Sequence, residues 1–360
     1  MIDNGVTNPD ACAPGNNTGH CNVRNAIAFC VSARQIAHCE IALTPGATYR
    51  VQKEIAIAIP QTRSAQRRRL GGVHGRALKV VIDGHGAVFS GAKGVRYLST
   101  FGIKRTNLFE IHLSNMTLKN FGSPSMSGGA LMLSGADGVY LHNIRFVNNT
   151  GSYGGAVYIS SNYSNPYSEA VLNIDNCTFG GNRAAYGGAI YAVHGTITTD
   201  GYPHENSNYS APLLGSITSS KFGGNVASSH GGAVVFEGLA PGSSLLKNIF
   251  VSNAAGISGS AVAMTGSRGV IVDSNAFYSN HANYSAAVYW VAHSGMDDPI
   301  GLTSKNIFPQ KSKGATNFNM AGVFYPDFAT EFNYIDVRGF AGHSNVTITN
   351  LPKNVHCNLP

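Results

Sequence analysis

One phrase recurs along this chain and limits what it can fold into. Strand-like starts read GGALML from Gly128, GGAVYI from Gly154, GGAIYA from Gly187, GGAVVF from Gly231, GSAVAM from Gly259 and SAAVYW from Ser285. Each is followed by a second apolar run that closes on Phe146, Phe179, Phe222, Phe250, Phe277 or Phe308. Three residues after the first five stand Asn149, Asn182, Asn225, Asn253 and Asn280. Successive Phe residues are 33, 43, 28, 27 and 31 positions apart, the longer intervals holding polar insertions. One such unit cannot bury its own apolar side, but stacked neighbours bury it for one another. Short β-branched runs bounded by Gly, Asn and Ser read as strands, and no 3.6-residue pattern of helix length lies between them. The expectation is an all-β chain: a single right-handed parallel β-helix, a solenoid, with a short N-terminal capping helix. Stacking predicts an internal Phe ladder and a ladder of buried Asn amides.

The repeat outranks length as evidence for domain count. A chain of 360 residues suggests two domains, whereas repeats build one elongated stack. The expected division is a disulfide-stapled cap over 1–50, first coils over 51–127, repeat coils over 128–317 and a C-terminal coil or cap over 318–360. Charged residues are only 12%, yet the net charge is +7. That balance permits an acidic partner such as an anionic polysaccharide. The cations are thinly spread apart from the run Arg63, Arg67, Arg68, Arg69, Arg76 and Lys79, which reads first as a solvated loop. It does not support nucleic-acid binding.

Cys12, Cys21, Cys30 and Cys39 lie at nine-residue intervals in a polar segment. They read as disulfide staples, with Cys12–Cys21 and Cys30–Cys39 the first of the possible pairings. Cys177 falls in a repeat strand and reads as a small buried hydrophobe. Eight N-x-S/T sequons occur. Those at Asn162 and Asn208 sit in polar insertions and are the expected glycan acceptors, whereas Asn176 reads as lying on a strand. The start MIDNGVTNPD does not read as a signal peptide, and no run of 18 apolar residues is present to span a membrane. Cysteines and sequons together lead to an extracellular or cell-surface expectation.

The GGA[IV] and FxxN units resemble those of chlamydial polymorphic outer-membrane proteins over roughly residues 128–310. The segment Cys21-Asn22-Val23-Arg24-Asn25-Ala26-Ile27 resembles the CSLREAI motif that precedes bacterial β-helix repeats, followed there too by a segment like IALTPGATYRV. Both resemblances imply a pectin-lyase-like parallel β-helix whose N-terminal end is closed by a cap. Val23, Ile27 and Val31 form one stripe of a short helix, which suits that cap, since an open sheet end invites aggregation.

Register points to where chemistry would gather. Three insertions follow the Gly-Gly-Ala strand and precede the Phe strand, beginning at Ser161, Gly195 and His293. They are expected to crowd one edge, bringing together Tyr163, Tyr167, Tyr202, His204, Glu205, His293, Asp297 and Asp298. On the strand itself, Tyr158 and Tyr191 alternate with the Val157 and Ile190 row. If that row faces the core, the two Tyr stand outside as adjacent aromatic rungs suited to sugar faces. Tyr158, Tyr191, Tyr163, Tyr167 and His293 are thus the candidate ligand-binding residues. The acidic residues are scattered. Asp175 and Asp273 match in register but lie three coils apart. Glycosidase chemistry needs two carboxylates roughly 5 to 10 Å apart, which Glu205 with Asp297 or Glu237 would have to supply. A metal-free lyase would use Tyr202 and His204. No cofactor or metal motif is legible, and His142, His194 and His230 read as structural. The leading expectation is a non-catalytic glycan-binding or adhesive protein. The alternatives are a polysaccharide lyase or glycoside hydrolase acting on an acidic polysaccharide, or a self-assembling subunit of a filament or wall.

Overall fold

A computed structural model describes residues 2–3, 22–32, 38–58, 78–101, 109–161, 170–194, 213–267, 269–283, 287–291, 301–302, 306, 318–321 and 346–349. Among these the chain is mostly β, in three parallel sheets of 15, 10 and 4 strands, with one helix, Val23–Ser32. The rounds are regular. Val157–Ser160 lies in the second sheet, Ala170–Asp175 and Thr178–Gly180 in the first, and Arg183–Ala184 in the third. Ile190–Val193 then begins the next round in the second sheet. Counterparts pair residue for residue, so Val157, Ile190, Val234, Val262 and Val288 form one row across five strands. All five are buried.

The repeat residues hold this register for identifiable reasons. Phe146, Phe179, Phe222, Phe250 and Phe277 are buried and stack face to face, with centroids 4.7, 4.8, 4.8 and 5.0 Å apart. This spacing is the inter-strand distance, so identical rings in register stack without adjustment. The Gly pair has two separate tasks. Gly154 turns into its strand at φ +65°, in the left-handed region. Gly155 has no room for a side chain, because a Cβ there would strike the Gly188 carbonyl of the next round.

The Asn of each Phe-x-x-Asn forms the expected ladder. Asn149, Asn182, Asn225 and Asn253 each donate from Nδ2 to the Oδ1 of the next, at 3.0, 2.9, 2.9 and 2.9 Å, ending on Asn280. The second Nδ2 hydrogen goes back to the carbonyl of the preceding round, that of Phe146 for Asn182 and Phe179 for Asn225. A second ladder, not read from the sequence, lies two residues before each Phe from Phe179 onward. Cys177 donates its N–H to the Ser220 hydroxyl, and Ser220 donates its own to Asn248 Oδ1. Asn248, Asn275 and Asn306 then join amide to amide at 3.0 Å. Cys177 is buried as expected, and burial pushes its thiol up to about 12. Asn176 is a correction. It is not on a strand but in an exposed turn between Ala170–Asp175 and Thr178–Gly180, at φ +51°. Asn tolerates that conformation better than most residues.

The N-terminal helix packs against the strands His38–Ala42, Ile55–Ala58 and Leu78–Gly91. Asn22 Oδ1 accepts from the Asn25 N–H at 2.9 Å, a helix cap. Ile27 is buried, with Val23 and Val31 packed beside it. Cys30 and Cys39 form a disulfide that ties the helix to the strand His38–Ala42. Cys12 and Cys21 lie outside the described residues. Arg24 is structural: its guanidinium donates to the carbonyls of Lys53 and Glu54. From the other side Arg96 pairs with the Glu54 carboxylate at 2.6 Å and donates to the carbonyls of Ser127 and Gly128, both at 2.8 Å. Glu54 thus joins the helix to two successive rounds.

Candidate functional site

Tyr158 and Tyr191 require a correction. They pair in register and stack at 5.8 Å, on the opposite side of their strands from the Val157 and Ile190 row. They are not exposed rungs, however, being only 8% and 1% exposed. With Val193, Val235 and Ala263 they make a second apolar cluster on the outside of the second sheet, against which Met132, Tyr153, Tyr186 and Tyr289 pack. Tyr153 meets Tyr191 edge-on at 5.0 Å. Buried rings offer no face to a sugar. Burial also pushes the Tyr158 hydroxyl up to about 12 and raises that of Tyr191, which shares a hydrogen bond with Glu237. The other insertion candidates, Tyr163, Tyr167, Tyr202, His204, Glu205, His293, Asp297 and Asp298, and the sequons Asn162 and Asn208, lie outside the described residues.

Glu237 stands in this cluster with its Oε2 out of solvent and, among the described residues, without a hydrogen-bond partner. Burial raises its carboxyl above the ordinary value of 4.5, with Tyr191 partly opposing. The unfolded chain therefore releases this proton at lower pH than the folded one. The stability tied to the proton is full below the ordinary value and is lost as pH rises through the folded one. Glu237→Gln is accordingly expected to melt higher than the parent protein at about pH 7, with the gap closing near about pH 4. Melting curves at the two pH values check this. An equal gap at both would remove the carboxyl as its cause.

The first sheet presents its outer face to solvent, and here the strands bring together polar groups that are distant in sequence. Successive strands His38–Ala42, Leu78–Gly91, Phe109–Lys119, Gly138–Val147 and Ala170–Asp175 align by register. One row of outward residues reads His38, Lys79, Glu110, and the next Glu40, Val81, His112, Tyr140, Asn173. A third reads Ala42, Asp83, Ser114, His142, Asp175. His–carboxylate pairs stud this surface: His38 with Glu40 at 2.8 Å, His112 with Glu110 at 3.3 Å and His142 with Asp175 at 3.0 Å. His112 also stacks flat on Tyr140 at 4.1 Å. Burial lowers the His112 pKa, with the Glu110 hydrogen bond working against it. Burial, and then Glu110, raises that of Tyr140.

A column of left-handed residues, Asn115, Asn143 and Asn176, makes a corner in the sheet. Past it the outer face changes character. Two rows follow by register, Thr48, Val88, Thr117, Arg145, Thr178, Lys221 and Arg50, Ser90, Lys119, Val147, Gly180. They carry four cations, Arg50, Lys119, Arg145 and Lys221, and no carboxylate. Arg50, Arg145 and Lys221 are exposed and Lys119 is half-buried. The four span six rungs, five intervals of about 4.8 Å, or about 24 Å. Beyond Lys221 these two rows turn apolar, with Ile249 and Tyr278 exposed.

This grid was missed in the sequence, though a signal exists. His-x-Glu at 38–40 and Glu-x-His at 110–112 each place two partners on one strand face. Of the three His read as structural, His142 has its Asp175 partner, and Ser161 Oγ meets His194 Nδ1 at 3.3 Å. His230 stacks on Tyr186 and Tyr289, but its Nδ1 is buried and, among the described residues, unbonded. Asp175 and Asp273 share a row but are separated by Thr218 and Leu246, too far to act as a pair. Among the described residues no three His, Cys, Asp or Glu are grouped to hold a metal ion, and no helix is long and apolar enough to cross a membrane. No protein-family model matches this chain, and no curated protein matches it.

Proposed function

We propose that this protein is an extracellular right-handed parallel β-helix that binds an acidic polysaccharide along the outer face of its first sheet. The cation rows carry the reading. Four basic side chains in two adjacent rows, free of carboxylates, follow the direction in which the rungs stack. A linear polyanion lying along the stack would meet a cation on four of its six rungs, and complementary charge of this kind selects and steers a ligand. The solenoid reading is supported by three parallel sheets visited in constant order, and the right hand by the general chirality of parallel crossovers. The Cys30–Cys39 disulfide favours an oxidising compartment.

Co-sedimentation with a polyuronate and with a neutral glucan tests the proposal. The polyuronate should be retained and released by salt, because exposed charges are screened beyond about 8 Å at physiological ionic strength. Arg145→Glu with Lys221→Glu should weaken binding by about 10-fold, on the order of 1.4 kcal/mol. Equal retention of both polymers, or none of either, would sink the reading. Purified protein that grows into filaments and ignores both polymers would favour a structural subunit instead.

A further inference from the structure

We infer that Asn176 is an N-glycosylation site and carries an oligosaccharide at the corner of the first sheet. The inference rests on the extracellular part of the proposed function and not on polymer binding. Asn176-Cys177-Thr178 is an acceptor motif, and its setting separates it from the others. Of the eight such motifs, those at Asn115, Asn148, Asn176 and Asn283 lie in the described residues. Asn115 is half-buried and bonded on both sides: its Nδ2 donates to Asp83 Oδ1 at 3.0 Å and its Oδ1 accepts from Asn143 Nδ2 at 2.7 Å. Asn283 donates from Nδ2 to the Gly256 carbonyl at 2.8 Å. Asn148 lays its amide over Gly181, where a Cβ would strike its Oδ1. Asn176 is exposed and, among the described residues, its side-chain amide makes no hydrogen bond.

The turn presents this motif to water. Cys177 is buried, with its N–H held by the Ser220 hydroxyl, while Asn176 and Thr178 on either side of it stay on the solvent side. Register places Asn143 and Ser219 beside Asn176 in the neighbouring rounds, and both are short and exposed. A bulky hydrophilic chain therefore has room along the stack in both directions. The fold does not need an amide here. Ser219, Lys247 and Ser274 make the same corner in later rounds, at φ +51°, +56° and +55° against +51° for Asn176. Asn115 and Asn143 are tied into a chain of bonds that ends on Asp83, and Asn176 stands outside it. Attachment is a transfer from a lipid-linked oligosaccharide pyrophosphate. Asn176 Nδ2 forms a bond to C1 of the first sugar. The bond from C1 to the pyrophosphate oxygen breaks with its electron pair on that oxygen, and the amide gives up one proton. The second Nδ2 hydrogen and Oδ1 remain, so no bond of the fold is displaced. The glycan borders the cation rows, which begin at Thr178 on this rung.

The full chain is expressed behind a supplied secretion leader in cultured animal cells. Chains from the cells and from the medium are treated with a peptide N-glycosidase in heavy-oxygen water, and their peptides are read by mass spectrometry. The peptide holding Asn176 should carry glycan in most molecules and yield a labelled Asp on release, whereas that holding Asn115 should stay largely bare. Thr178→Ala, which keeps Asn176 and its turn, should lose this glycan and migrate one glycan step faster on a gel, with an unchanged circular dichroism spectrum. Asn176 found bare while other motifs carry glycan overturns the assignment and leaves the extracellular reading standing. A chain bare at every motif overturns both. Glycan at Asn176 that persists in Thr178→Ala shows that the motif is not what is recognised and overturns the inference.

Discussion

Asn225→Leu is expected to destabilise the protein by at least about 4 kcal/mol, although Leu is apolar, similar in size and destined for the interior. Asn225 is fully buried and uses its amide completely. Its Oδ1 accepts from the Asn182 N–H at 3.1 Å and from Asn182 Nδ2 at 2.9 Å. Its Nδ2 donates to the Phe179 carbonyl at 3.0 Å and to Asn253 Oδ1 at 2.9 Å. Leucine leaves the donors of Asn182, the Phe179 carbonyl and one acceptor site of Asn253 unpaired inside the fold, each costing about 1 to 3 kcal/mol. Asp is no remedy, because it cannot donate and would bury a charge. In a stack whose layers touch only their neighbours, a broken central rung also uncouples the layers on either side. Urea unfolding followed by circular dichroism should show an earlier transition split into two steps. Thr178→Ala, on the outer face, is the control and should stay within about 0.5 kcal/mol. If Asn225→Leu matches that control, the amide ladder is not what holds the rounds together.

The second large effect concerns the first rounds. Arg96→Ala should cost about 3 kcal/mol, the lower end of what breaking a buried ion pair costs, because Glu54 is 29% exposed and water partly compensates it. The loss has two parts. The Glu54 carboxylate gives up a 2.6 Å charged partner, and the carbonyls of Ser127 and Gly128 give up their donor. Arg96→Lys should recover little of it, since one ammonium cannot reproduce three directed bonds from a planar guanidinium. Arg24 holds the same segment by backbone carbonyls, so the helix should loosen along with the first rounds. Hydrogen exchange checks this: amides of Val23–Ser32 should exchange faster in Arg96→Ala while those around Phe222 stay protected. Uniform acceleration along the chain would show that Arg96 acts globally and not as a local clamp.

How much of this was legible follows from distance along the chain. The Phe stack and the Phe-x-x-Asn ladder were legible because each repeats at one position per round, and strands in register turn sequence periodicity directly into contact. The second ladder obeys the same rule, but its first members are Cys177 and Ser220. Residues of different kinds in one row hid it until Asn248, Asn275 and Asn306 appeared bonded in line. The face occupied by Tyr158 and Tyr191 was legible from alternation. Their burial was not, because alternation says which side a residue takes and nothing of what packs over that side.

The grid of Lys79, Glu110, His112 and Tyr140 marks the boundary most clearly. Sequence alone places Glu110 and His112 on one strand face, two residues apart. It cannot place Lys79 or Tyr140 beside them, because rounds before Gly128 lack the Gly-Gly-Ala marker and the pairing offset is set by where each strand begins and bends. The offset even shifts within one strand pair, between Asp83 and Ala87. By itself, then, the sequence determined that the chain repeats, which residues recur and which of them are apolar, since a recurring residue needs only its neighbouring copy to form a ladder. The tertiary structure decided which unlike residues share a rung, because contacts between non-repeating side chains depend on register and on overlying layers, and neither is a local property of the chain.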